Sequence, residues 1–145
     1  MFQRILVAVD PSPARYSAVR LAGDTARLTD AKVRVVHVAA SVANLAAVVP
    51  LEDDVQAKAV VDDAVAALRD MGVDADGTVA GGLTTQIATI ISEAAEEFHA
   101  DLLVLSPHHR GSIEAFFNPR VSDAVAHISR TAILLAPEDT DTDQN

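Results

Sequence analysis

The sequence predicts an α/β fold: five parallel strands in one sheet, covered by helices on both faces. Three observations lead there. Continuous apolar runs, ILVAV at 5–9 and LLVL at 102–105, fit strands buried on both sides. Segments with three- and four-residue apolar periodicity alternate with those runs, as in repeated β-α-β units. Half the residues are hydrophobic but only 3% are aromatic, so Val, Leu, Ile and Ala must build the core. A parallel sandwich does this readily, whereas a base-stacking surface does not.

Taken in order, the first strand (5–9) ends at Asp10-Pro11-Ser12-Pro13. Ser12 is a candidate N-cap, with Pro13 at the first helical position, where a missing N–H costs nothing. Ala14, Ala18, Leu21, Ala22, Thr25 and Leu28 then mark one buried helical face. A second strand is expected at 33–39, joined by a right-handed crossover. The stretch SVANLAAVVP (41–50) is apolar without clear period, and a short helix, a lid and a contact surface all remain open for it. Residues 52–71 read as a helix with Ala57, Val61, Ala64, Val65 and Leu68 on one side and Gly72 at C′.

A poorer strand at 73–80, interrupted by Asp74, Asp76 and Gly77, is expected at an edge. Gly81-Gly82 reads as a turn, with Thr84 or Thr85 capping a third helix whose stripe is Ile87, Ile90, Ile91, Ala94 and Phe98. The fourth strand (102–105) is followed by a loop and a helix opening at Asn118-Pro119, running through Val121, Val125 and Ile128. The fifth strand is 132–136. A single domain is expected over 1–137, with 138–145 a disordered acidic tail.

Composition narrows the function. A net charge of −10 argues against nucleic acid or an anionic membrane as partner. The absence of cysteine removes disulfides and thiolate chemistry. With no leader-like start and no apolar stretch of about twenty residues, a cytoplasmic location is expected. The histidines suggest no metal site: His108 and His109 are adjacent and point apart, and no carboxylate stands at ligand spacing. His37, His99 and His127 read as structural. Ser12 and Ser17 form no nucleophile elbow, because G-x-S-x-G is missing. Phe116-Phe117 reads as a loop anchor or a partner contact.

A strand, a loop and a helix start, as in DLLVLSPHHRGSIEAFFNPRVSD at 101–123, is an arrangement that favours a phosphate. ILVAVDPS, ADLLVLSPHHR and RVSDAVAHISRTAILLAPE together resemble the universal stress protein family, over nearly the whole chain. The resemblance implies a Rossmann-like sheet of the adenine nucleotide alpha hydrolase type, strand order 3-2-1-4-5, with a switch point between strands one and four. It also implies a homodimer paired through the fifth strand, at Ile133, Leu134 and Leu135.

One branch of that family binds ATP through Gly, two residues, Gly, nine residues, then Gly and Ser or Thr. In register, those four positions fall here on Ser106, His109, Pro119 and Arg120. Pro119 offers no N–H to a phosphate, His109 places a side chain where backbone should approach, and Arg120 can fill the phosphate volume itself. Asp10 is retained where the family's nucleotide binders contact adenosine, and Val38, Val121 and Ser122 suit that half. Asp10 can equally bind backbone N–H groups at the first helix. The cluster His108-His109-Arg110 with Arg120 is either a replacement anion site or a solvated loop.

The expectation is therefore a universal stress protein that does not bind ATP. It would act as a homodimeric interaction and regulatory module with an unidentified protein partner, without catalysis or cofactor. The alternative is a sensor binding ATP, another adenine nucleotide or a small anion at the switch point through a modified phosphate loop. A weak ATPase is a third idea, which the missing glycines oppose.

Overall fold

A computed structural model describes residues 1–43, 46–106, 125 and 130–137. Among them the chain forms β1 (Arg4–Val9), α1 (Ala14–Thr29), β2 (Lys32–Ala43), β3 (Val48–Pro50), α2 (Asp54–Asp70), β4 (Ala75–Leu83), α3 (Ile87–Phe98), β5 (Leu102–Leu105) and β6 (Ala132–Leu135). The helix expected from Asn118 lies outside the described residues, apart from Val125, which is helical and buried. The tail at 138–145 and Phe116-Phe117 also lie outside them.

Among the described residues the sheet has six strands and is mixed, so the expected five-stranded all-parallel sheet is corrected. Its parallel pairs are β4 with β2, β2 with β1, β1 with β5 and β5 with β6. The sixth strand, β3, comes from the undecided stretch at 41–50 and runs antiparallel to the end of β2, with Ser41 opposite Pro50 and Ala43 opposite Val48. Ser41 also pairs with Leu83 of β4. Since a strand has two edges, β3 must lie on the edge of β2 that β1 occupies lower down. β1 stops at Val9, opposite His37. The β2–β3 hairpin therefore stands directly beyond the carboxyl end of β1.

Alternation along the strands builds two cores. Val7, Val9, Val33 and Val35 face α1 and α2, joined by Ala18, Ala22, Val61 and Leu68. Leu6, Val36, Val38 and Leu103 face α3, joined by Ile87, Ile91 and Phe98. Leu68, Ile87, Ile91 and Leu103 are all fully or almost fully buried. This two-sided burial is why the strands read as continuous apolar runs. Asp101 closes the amino end of the sheet, its carboxylate accepting from the N–H groups of Gln3 (2.8 Å) and Arg4 (3.1 Å).

Several local readings change. Leu28 is 88% exposed and does not belong to the buried face of α1. Ser12 does not cap that helix through its side chain, because its hydroxyl donates to Asp10 instead. Gly81 and Gly82 are not a turn but the end of a nine-residue strand. A Cβ at Gly82 would run into the Ile90 side chain, so glycine is used there for helix–strand packing. No threonine caps α3; a 3₁₀ turn at Thr84–Gln86 precedes it, and Gln86 Oε1 accepts from the Leu83 N–H at 3.0 Å. Gly72 does follow α2 with φ +81°, the left-handed conformation expected at C′. Asp53 caps α2 reciprocally with Gln56, a capping box that fixes where the chain leaves the β3 connection.

Candidate functional site

In an open α/β sheet, ligands bind beyond the carboxyl ends of the strands, where neighbouring connections part to opposite faces. Here that place is above β1 and β5. Asp10 follows β1 directly and is buried, at 7% exposure. Its Oδ1 accepts from the Ser12 N–H at 2.8 Å and from the Ser12 hydroxyl. This Asx-type turn sets the entry into α1. Ser106 follows β5, and its hydroxyl donates to the Ala14 carbonyl in the first turn of α1 at 3.4 Å. The end of β6 is also tied to α1, since the Ser17 hydroxyl donates to the Pro137 carbonyl at 2.7 Å.

Val38 lies one position past the Val9–His37 pair, on the strand beside Asp10. Its side chain is 3% exposed and packs with the α3 core. The structure thus brings Asp10, Ser106 and Val38 to one end of the sheet. His109, Arg120, Val121 and Ser122, with His108, Arg110, Pro119 and His127, lie outside the described residues.

Sequence reasoning missed Glu52. His37 is fully buried on the α1/α2 face of β2, and its Nδ1 lies 2.9 Å from the Val9 carbonyl. Its Nε2 is hydrogen-bonded to Glu52 Oε1, and the Glu52 side chain is only 4% exposed. A carbonyl can only accept, so Nδ1 carries a proton. One further proton is then shared between Nε2 and the carboxylate, and the buried pair is neutral overall. His37 is satisfied on both nitrogens, as a structural histidine should be. A lone glutamate in a connecting segment gives no comparable signal in the sequence.

Among the described residues no group of three or more His, Cys, Asp or Glu is placed to hold a metal. The resolved electrostatic coupling is elsewhere, on the β2–β4 register pair Arg34–Asp76. There the guanidinium donates twice, at 2.8 and 3.1 Å, and holds the Asp76 carboxyl below its ordinary range against the opposing effect of burial. A groove of about 360 Å³ between α1 and α2, with Arg20 on one wall, Asp63 on the other and Val19 and Met71 below, is separate from the crevice.

The family model for the universal stress protein family matches residues 1–137. The chain belongs to the universal stress protein family. Solved structures carry the same fold at low identity. A universal stress protein in complex with cAMP is 23% identical, covers 94% of this chain and 97% of its own, and superposes with a TM-score of 0.71. One from Archaeoglobus fulgidus in complex with dAMP is 23% identical over 93% of this chain and 98% of its own, TM-score 0.70. A family protein from Arabidopsis thaliana with AMP bound is 15% identical over 96% and 94%, TM-score 0.65. A comparison with curated proteins found no match. No helix among the described residues is long and apolar enough to cross a membrane.

Proposed function

We propose that this universal stress protein does not bind ATP and works in the cytoplasm as a homodimeric interaction module of one domain, 1–137, without catalysis. The observation that carries the reading is Ser106. Where the ATP-binding branch has its first glycine, this chain has a side chain bonded into the first turn of α1. The substitutions His109, Pro119 and Arg120 point the same way, since together they replace the backbone N–H cradle a triphosphate uses. The engagement of Asp10 with Ser12 supports a structural role for that carboxylate. For the dimer, β6 pairs only with β5 among the described residues, and its Leu135 is 48% exposed, which suits pairing with a second β6.

A second reading is favoured by the relatives solved with cAMP, dAMP and AMP. A single phosphate needs fewer contacts than three, and Asp10 beside Val38 retains the adenosine side. Calorimetric titration with ATP, AMP and cAMP separates the readings. Silence for all three up to millimolar concentration is expected. Binding of AMP or cAMP alone moves the assignment to the second reading, and micromolar ATP binding overturns both.

A further inference from the structure

We propose that the outer edge of β4 is a docking site for an extended peptide with two consecutive basic residues, which joins the sheet as a further strand. This edge lies on the far side of β2 from β1 and its crevice, and it serves whether or not a nucleotide binds there. It gives the interaction module a surface, and peptide binding is read independently of the nucleotide titration that tests that module.

The strand offers its backbone at defined positions. The Val33 N–H donates to the Asp74 carbonyl at 3.0 Å, and in a parallel ladder a residue bonds the two that flank its partner. That partner is Ala75, so the even-numbered residues of β4 turn their N–H and C=O groups toward β2. The odd-numbered ones turn theirs outward. Both ends of the outward row are used: the Ala75 carbonyl accepts from Arg69 Nε at 3.1 Å, and the Leu83 N–H donates to Gln86 Oε1 at 3.0 Å. Between them, the backbone groups of Gly77, Val79 and Gly81 face no strand among the described residues, since β4 pairs there only with β2. All three residues are exposed. Proteins blunt such edges with proline, lysine, bulges or short length. β4 is nine residues long, contains no proline or lysine, and keeps one unbroken register from Ala75 to Leu83.

Recesses flank this edge on both faces, meeting at Gly77 and Thr78. On the α2 face, one of about 460 Å³ is lined by Asp54, Lys58, Val61, Asp62 and Val79. On the α3 face, one of about 300 Å³ is lined by Arg34, Asp76, Ala94 and Glu97. Each holds two carboxylates and one cation. Lys58 is paired with Asp62 at 2.6 Å and Arg34 with Asp76 at 2.8 Å. Asp54 in one recess and Glu97 in the other have no ion pair among the described residues. Successive side chains of a strand point to opposite faces, so placing one basic residue in each recess requires two in a row. On the α2 face the apolar stem of a lysine or arginine can lie on Val79, 40% exposed, with its charged head at Asp54. A second copy of this chain is the wrong occupant. Edge-to-edge pairing would bring acidic recesses together in a chain whose net charge is already −10.

Amide NMR on the full chain tests this with two capped peptides of threonine and valine, one with Lys-Arg at its centre and one with Glu-Glu. Titration into the millimolar range should shift the amides of Gly77, Val79 and Gly81 saturably with the Lys-Arg peptide and leave them in place with the other. Asp54→Asn combined with Glu97→Gln, both at exposed positions, should weaken binding roughly fivefold, as expected for two surface ion pairs. Val79→Pro removes an outward N–H and no bond to β2, so it should abolish binding while circular dichroism shows the sheet intact. If that variant does not fold, the double charge variant decides alone. No response to the Lys-Arg peptide, an equal response to both peptides, or unchanged affinity in the charge variant overturns the proposal. Shifts at 77, 79 and 81 that grow with protein concentration alone assign the edge to a second copy and overturn it as well.

Discussion

Replacing Leu135 by aspartate tests dimerisation through β6 with least damage to the fold. The three residues expected at the interface are not equivalent. Ile133 packs against the α3 core and Leu134 against the α1/α2 core, so a charge at either would disturb folding as well as assembly. Leu135 is 48% exposed in the single chain. Burying a whole leucine is worth roughly 1.5–3 kcal/mol, so the exposed half is worth about 1 kcal/mol. A twofold axis uses each residue twice, giving about 2 kcal/mol per dimer. That corresponds to a roughly 30-fold weaker dimer, and two facing carboxylates add to it. Sedimentation velocity over a concentration series reads the shift, and a circular-dichroism melt checks that the variant stays folded. A folded Leu135→Asp variant with the dimer population of the wild type would refute β6 as the interface.

Other outcomes follow from the packing and the crevice. Leu68→Ala empties a fully buried position between α1 and α2 and should cost about 2–5 kcal/mol in urea unfolding. The carboxyl of Asp76 is depressed below 3.8 when folded, so its pairing with Arg34 stabilises above about pH 4 and is lost as pH falls through the lower folded value. Asp76 is 57% exposed, so Asp76→Asn should cost less than about 1 kcal/mol at pH 7. That difference should vanish near pH 2, as urea midpoints at the two pH values will show. Restoring the phosphate motif with Ser106→Gly, His109→Gly, Pro119→Gly and Arg120→Ser should create measurable ATP binding by calorimetry. If the restored chain folds and stays silent, the lost glycines are not what prevents binding.

The parts of the fold with two buried faces were legible in the sequence. ILVAV and LLVL could hardly be anything but central strands, and the stripe of α2 appeared residue by residue as Ala57, Val61, Ala64, Val65 and Leu68. What escaped was set by distant contacts. Gly81-Gly82 has the local signature of a turn, yet both residues continue the pairing with β2, and Ile90 packs where Gly82 lacks a Cβ. Residues 41–43 and 48–50 show no period because their antiparallel pairing is short, three positions long, and mostly exposed. In the candidate site, register singled out Ser106 and the family resemblance singled out Asp10; the Asp10 side chain bonds Ser12, just before α1, and the Ser106 side chain bonds the first turn of α1. Glu52 could not be found, since its meaning depends on a strand reversal that places it against a histidine fifteen positions earlier.

The place of β1 in the sheet has a consequence for synthesis. Its partner on one side, β2, follows within a few dozen residues, but its partner on the other, β5, is joined through Leu6 and Leu103. The ribosome therefore makes this strand early and leaves one edge of it waiting while most of the chain emerges. An apolar run with an open edge is the kind of surface on which nascent chains associate wrongly or recruit chaperones. Chains stalled before residue 102 should be the aggregation-prone species, and release past β5 the event that ends the hazard.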